Sequence, residues 1–231
     1  MRGAQRPKLS AVIPANNEAG RVGRVVQEAL NYVDEVIVVD DGSTDRTREE
    51  AAQAGARVVA NRFQKGYIGA IKTGFREANG EIVVTVDADG EHDPADIPAL
   101  VAPIITGEAD LVLGRRSSVP RASERFLSWL TRLRVRGVYD VGTGFRALRT
   151  ALARELEIRG RCTCGIFVLE TFLHGATVRE VPVKIRPPLT YKRRRLMWEH
   201  LPQTFYVLRL LIRPRFHNKK DRGHVPSSAE P

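Results

Sequence analysis

The sequence predicts an α/β fold: a Rossmann-like, open and mostly parallel sheet flanked by helices, with an amphipathic helix near the C-terminus. Two observations predict it. Short β-branched apolar runs alternate with longer segments whose apolar residues recur at helical spacing, the pattern of right-handed βαβ units. Glycines, carboxylates and arginines gather just after the apolar runs, at the carboxyl ends of strands, where open α/β sheets bind ligands. With 231 residues, 42% of them hydrophobic, the chain has material for one full core.

Leu9 to Pro14 reads as the first strand. Asn17-Glu18-Ala19-Gly20 opens a helix to about Asn31, with Val22, Val25, Val26, Ala29 and Leu30 inward. Glu35 to Asp40 is a second strand, and Ser43-Thr44-Asp45 caps a helix that Gly55 ends. Arg57 to Ala60 is a short third strand, and Lys65 to Asn79 is helical. Glu81 to Val86 is the fourth strand, followed by a helix from about Pro94 to Ile105 and a strand from Asp110 to Gly114.

The strand ends carry the chemistry. Pro14-Ala15-Asn16-Asn17-Glu18 follows the first strand, Asp40-Asp41-Gly42-Ser43 the second, Asp87 and Asp89 the fourth, and Gly114-Arg115-Arg116 the fifth. Residues two apart on a strand face the same way, with Cα atoms roughly 6.6 Å apart, so Asp87 and Asp89 are expected to converge on a hard divalent cation. An acidic turn capping the next helix is the competing reading. The chain has neither a Walker A motif nor a Gly-x-Gly-x-x-Gly turn, so phosphate is expected to be held by metal and basic side chains, and a dinucleotide oxidoreductase is disfavoured.

A net charge of +10 predicts attraction to polyanions. On a helix from Arg121 to Arg136, the arginines Arg121, Arg125, Arg132 and Arg136 fall within about 60° of one another, beside Phe126, Trp129, Leu130 and Leu133. This pattern suits an anionic membrane surface or a helix packed on the sheet. Aromatic residues make up 6% of the chain and no aromatic-rich basic strand is present, so a nucleic-acid-binding module is the weaker, non-enzymatic alternative. Gly165 to His174 reads as an apolar helix, Thr177 to Ile185 as a strand, and Leu201, Phe205, Leu208 and Ile212 as an apolar helical stripe. Cys162 and Cys164, with His174, lack a fourth zinc ligand and read as reduced thiols, which makes a cytoplasmic location the expectation. No signal-peptide core and no run of about 18 apolar residues is found, so the expected location is peripheral, at the cytoplasmic face of the membrane.

The ordered motifs Val-Ile-Pro-Ala-Asn-Asn-Glu, Val-Val-Asp-Asp-Gly-Ser-Thr-Asp, Lys-Gly, Val-Asp-Ala-Asp-Gly-Glu-His-Asp-Pro, Gly-Arg-Arg and Asp-Val-Gly-Thr-Gly-Phe-Arg-Ala resemble inverting GT-A glycosyltransferases of family 2. The chain is most similar to the dolichyl- or polyprenyl-phosphate sugar synthases, over roughly Leu9 to Pro188. The resemblance implies transfer of a sugar, mannose or glucose, from a GDP- or UDP-sugar to a lipid phosphate, with a saccharide or other hydroxyl acceptor as the alternative. It implies that Pro14, Asn17, Glu18, Asp40, Asp41, Lys65, Gly66 and Asp87 bind the nucleotide sugar. Asp87 and Asp89 would form the DXD pair on Mg²⁺ or Mn²⁺, with Glu91, where relatives often carry Gln, as a third ligand. Asp140, Arg115 and Arg116 are the catalytic candidates, and Arg115, Arg116, Arg125 and Arg146 the candidates for gripping the acceptor phosphate. Other departures are Asn16 in place of a Tyr and a short segment between Gly114 and Asp140. The expected organisation is a catalytic domain over 1–190, a basic segment including Lys192 to Arg195 with a helix over 191–213, and a disordered tail over 214–231.

Overall fold

The computed structural model describes residues 6–119, 121–160, 162–187 and 200–215. In chain order the elements are β1 (Leu9–Ala15), α1 (Val22–Ala29), β2 (Glu35–Asp40), α2 (Thr47–Gln53), β3 (Arg57–Ala60), α3 (Gly66–Glu77), β4 (Ile82–Thr85), α4 (Ile97–Ile105), β5 (Leu111–Arg115), α5 (Ala122–Arg132), β6 (Arg146–Arg149), α6 (Thr150–Glu155), α7 (Ile166–Leu173), β7 (Val178–Pro182) and α8 (His200–Ile212). A 3-10 turn, Pro94–Asp96, leads into α4.

Seven strands form one sheet in the order β3-β2-β1-β4-β6-β5-β7. β1 pairs in parallel with β2 and β4, β2 with β3, and β5 with β7; β6 runs antiparallel between β4 and β5. The central strands are buried on both faces, which is why they read as unbroken apolar runs rather than alternating ones. One core layer holds Val22, Val25 and Val26 of α1 with Leu100 and Ile104 of α4. The other holds Ile71 and Phe75 of α3, Leu127 of α5, Phe167 of α7, and Val207 and Leu210 of α8. α3 lies close to the sheet because residue 74 is glycine; a Cβ there would overlap Val12.

Several boundaries differ from the expectation. α1 starts at Val22, because Asn17 sits in the left-handed region at φ 56° and the Glu18 carbonyl receives the Arg21 and Val22 N–H groups. α2 starts at Thr47, whose N–H is taken by Asp45 Oδ1 at 3.0 Å. β4 stops at Thr85, so Asp87 and Asp89 lie in the turn beyond it, and strand alternation is not what brings them together. β6 and α6 span four and six residues, too short to show a period in the sequence. Leu201 to Ile212 is helical as expected, but Val207 and Leu210 face the core while Phe205, Leu208 and Ile212 are 66%, 47% and 82% exposed. No helix among the described residues is long and apolar enough to cross a membrane. The Lys192–Arg195 run and the tail from Phe216 lie outside the described residues.

Candidate active site

The carboxyl ends of β1, β2 and β4 meet on one edge of the sheet. At the end of β2, Asp41 is almost fully buried and accepts hydrogen bonds from Asn61 Nδ2 at 2.7 Å, Lys65 N at 2.9 Å and Gly66 N at 2.7 Å. A carboxylate is thereby placed on the N-terminal N–H groups of α3, where the helix dipole favours negative charge. Asp40, also buried, accepts from Arg48 Nε at 2.5 Å and Ser43 N at 3.1 Å. Asn17 and Ser43 stitch β1 to β2: Asn17 N donates to Ser43 Oγ at 3.0 Å, and Thr44 N donates to Asn17 Oδ1 at 2.9 Å. Glu18 pairs with Arg21 at 2.5 Å. Pro14, Glu18, Asp40 and Asp41 are therefore buried, whereas Asn17, Lys65 and Gly66 are exposed.

Past β4, the Asp87 carboxylate has two distinct sides. Tyr67 donates its hydroxyl hydrogen to Oδ1 at 3.0 Å, and Oδ2 lies 3.8 Å from His92 Nδ1. Gly144 backs this carboxylate so closely that a Cβ at 144 would overlap it, and Thr85 Oγ1 fixes the Gly144 carbonyl at 2.6 Å. Burial lowers the His92 pKa, with Asp87 and Asp89 pulling the other way, and burial together with the Asp87 charge raises that of Tyr67. His92 Nδ1 is buried without a hydrogen-bond partner. Asp89 Oδ1 accepts from Glu91 N at 3.1 Å.

Oxygen-only donors beside an unsatisfied buried nitrogen fit a small divalent cation that takes its remaining ligands from a diphosphate and water. Glu91 does not complete a trio: among the described residues no group of three His, Cys, Asp or Glu side chains is arranged to hold a metal ion. Its backbone N–H instead satisfies Asp89, and its carbonyl accepts from Arg186 N at 2.8 Å.

Beyond β5 the expected roles separate. Asp140 is fully buried and forked by Arg116, with Nε to Oδ2 at 2.7 Å and Nη2 to Oδ1 at 2.7 Å; Arg116 Nη2 also donates to Glu124 Oε2 at 2.9 Å. Burial alone would lower the Arg116 pKa, but Asp140 and Glu124 raise it, so the guanidinium is fixed in charge and committed to protein partners. Glu180 Oε1 accepts from Tyr139 N at 2.6 Å and Asp140 N at 2.7 Å, holding the turn from the other side. Arg146 is also fully buried, giving Nη2–H to Thr163 Oγ1 at 2.7 Å and lying 4.9 Å from the Phe167 ring. The structure thus buries Arg146, and leaves Arg116 half-buried with its guanidinium committed to Asp140 and Glu124. Arg115 and Arg125 are exposed; Arg125 Nη1 donates to the Val119 carbonyl at 3.1 Å. Tyr67, Glu124, Thr163 and Glu180 were not singled out in the sequence, where each is one polar residue in an ordinary helix, turn or strand, and His92 entered only as part of the Val-Asp-Ala-Asp-Gly-Glu-His-Asp-Pro motif, with no role of its own.

The glycosyl transferase family 2 profile matches residues 10–157. The chain belongs to this family. It is 31% identical over 175 residues to a dolichol-phosphate mannosyltransferase of Pyrococcus furiosus, an alignment covering 65% of this chain and 49% of the relative, so the chain spans about half that protein's length. It is 31% identical over 210 residues to a UDP-N-acetylglucosamine–dolichyl-phosphate N-acetylglucosaminyltransferase of Methanococcus voltae, covering 75% of this chain and 83% of the relative. The fold matches the crystal structure of glucosyl-3-phosphoglycerate synthase from Mycobacterium tuberculosis with Mn²⁺, UDP-glucose and phosphoglyceric acid. There the TM-score is 0.73 at 26% identity, over 89% of this chain and 79% of that one. The architecture is therefore GT-A, as expected, and the protein is a glycosyltransferase.

Proposed function

We propose that this glycosyltransferase moves a hexosyl group from a GDP- or UDP-sugar to a polyprenyl phosphate, with inversion at the anomeric carbon, at an anionic membrane surface. The observation that carries this reading is the Asp140–Arg116 pair. A hydroxyl acceptor needs a general base, yet the Asp140 carboxylate is buried in a bidentate ion pair. A lipid phosphate arrives already ionised and needs positioning instead, for which exposed Arg115 and Arg125 stand at the end of β5 and on α5. Likeness to two relatives named for lipid-phosphate acceptors supports the same choice.

In this reading Pro14, Asn17, Glu18, Asp40, Asp41, Lys65 and Gly66 shape the nucleotide pocket, and Asp87 and Asp89 hold Mg²⁺ or Mn²⁺. The bound cation supplies electrostatic stabilisation of the leaving diphosphate. Asp40 and Asp41 act by ordering Arg48 and the start of α3. The Arg116–Asp140–Glu124 cluster keeps the turn behind Asp87 in place. Membrane contact falls to the outer faces of α5 and α8.

A second reading, a phosphorylated small-acid acceptor, is favoured by the structural match to the phosphoglycerate enzyme. Radiolabelled GDP-mannose and UDP-glucose, each offered with a short polyprenyl phosphate, the matching prenol or 3-phosphoglycerate, separates the readings. Labelled lipid from the phosphate alone is the expected result. Product from the prenol, or from phosphoglycerate alone, overturns it.

A further inference from the structure

Tyr67 fills no role in that reading, yet it connects the Asp87 site to the core. Tyr67 is the second residue of α3, and its hydroxyl holds Asp87 Oδ1 at 3.0 Å.

We infer that Tyr67 is a positioning residue for Asp87: its hydroxyl pins Oδ1 at 3.0 Å and holds the carboxylate in one orientation for the divalent cation. A carboxylate held in one orientation before binding loses less freedom when the cation arrives, and outer partners of metal ligands commonly change metal affinity by about 10–100-fold. This inference rests on the assignment of Asp87 as a metal ligand.

The test measures Mn²⁺ binding directly, by the electron paramagnetic resonance signal of free Mn²⁺ in the presence of UDP or GDP, alongside kcat and the Mn²⁺ dependence of turnover. Tyr67→Phe is expected to raise the Mn²⁺ dissociation constant about tenfold, with kcat at saturating Mn²⁺ and the melting temperature nearly unchanged. Wild-type Mn²⁺ affinity in Tyr67→Phe, or a loss of affinity that merely accompanies a lowered melting temperature, overturns the inference. If the wild-type protein binds no Mn²⁺ with either nucleotide, the metal-site reading itself falls.

Discussion

At the ends of β1, β2 and β4 nearly every polar side chain is held by another part of the protein, whereas on the outer faces of α5 and α8 aromatic and aliphatic side chains stand in solvent. Asp41 alone takes three hydrogen bonds, and Asp40 is fully buried against Arg48. Phe126, Trp129 and Leu133 of the α5 region are 48%, 50% and 64% exposed, and Phe205 and Ile212 of α8 more so. The two helices are nonetheless firmly joined. Gly165 fits between Thr131 and Val207, and Arg134 donates to the Leu210, Leu211 and Arg213 carbonyls that end α8. On the function proposed above, the contrast means that the two regions serve different partners, one a small polyanion in a fixed geometry and the other an extended apolar surface bordered by cations.

The sharpest test of the first region is Asp89→Asn. The change keeps the shape and removes one charge from a like-charged pair, so the fold should persist while turnover falls about a hundredfold or more. Full activity, or activity undiminished in excess EDTA, would break the comparison at its stronger end. Next in size is Asp140→Asn. Removing the carboxylate charge that takes two of the Arg116 guanidinium hydrogen bonds should destabilise the protein by about 3–5 kcal/mol, read by chemical denaturation, with Glu124→Gln costing less because that carboxylate takes only one. An unchanged denaturation midpoint for Asp140→Asn would show that the pair is not what holds the turn.

On the second region, Arg125→Ala should lower kcat/KM for a polyprenyl phosphate about tenfold to a hundredfold while leaving donor affinity unchanged, as loss of a charge-assisted contact worth about 1.5–3 kcal/mol requires. A matching loss of donor affinity would place Arg125 with the first region instead. Trp129→Ser combined with Phe205→Ser should weaken cosedimentation with anionic vesicles several-fold without altering thermal stability, and raised salt should weaken binding of both proteins. Equal, salt-insensitive binding to neutral and anionic vesicles would show that this face has another partner.

How far the sequence revealed each region follows from the same contrast. Strand ends are legible because a buried strand must stop where polar residues begin, which located Asp40, Asp41, Asp87 and Asp89 in one dimension. Their three-dimensional partners were not legible. Tyr67 and Gly144 are 20 and 57 positions from Asp87 by the numbering, and although Gly144 lies in the Asp-Val-Gly-Thr-Gly-Phe-Arg-Ala motif, nothing local ties either to Asp87. Arg116 and Arg146 were expected to grip an acceptor phosphate because charge in sequence says nothing of its partners; the carboxylates that engage Arg116 come from α5 and from the turn before β6. In α8 the period was right, but the expected stripe of Phe205, Leu208 and Ile212 faces outward while Val207 and Leu210 face the core, on a helix apolar on more than one side. β6 escaped notice because four residues inserted antiparallel between β4 and β5 carry no crossover signal.

The smallest expected effect is the pH dependence of stability, and it divides the molecule along a related line. Asp34, at the start of β2, has its pKa lowered first by the Leu9 N–H and then by Arg6, against a burial contribution that raises it. For Glu35, burial pushes upward but hydrogen bonds from Ser10 and Asn79 win, and its pKa is also lowered. In the second half, burial dominates at Glu170 and Glu180 and raises both. A carboxyl group with a lowered folded-state pKa adds stability that is present above its unfolded value, about pH 4, and is lost as pH falls through the folded value. One with a raised value weakens the folded state at neutral pH, and that penalty is relieved as pH falls through the folded value toward about 4. Melting temperature should therefore hold or rise slightly from neutral pH toward about 5 and then fall steeply below about 4. Asp34→Asn should lower it at pH 7 and converge with the wild type in acid, whereas Glu180→Gln, which keeps an acceptor for Tyr139 N and Asp140 N, should match or exceed the wild type at pH 7. A Glu180→Gln protein that melts well below the wild type at pH 7 would show that the ionised carboxylate is worth more to the Asp140 turn than its burial costs.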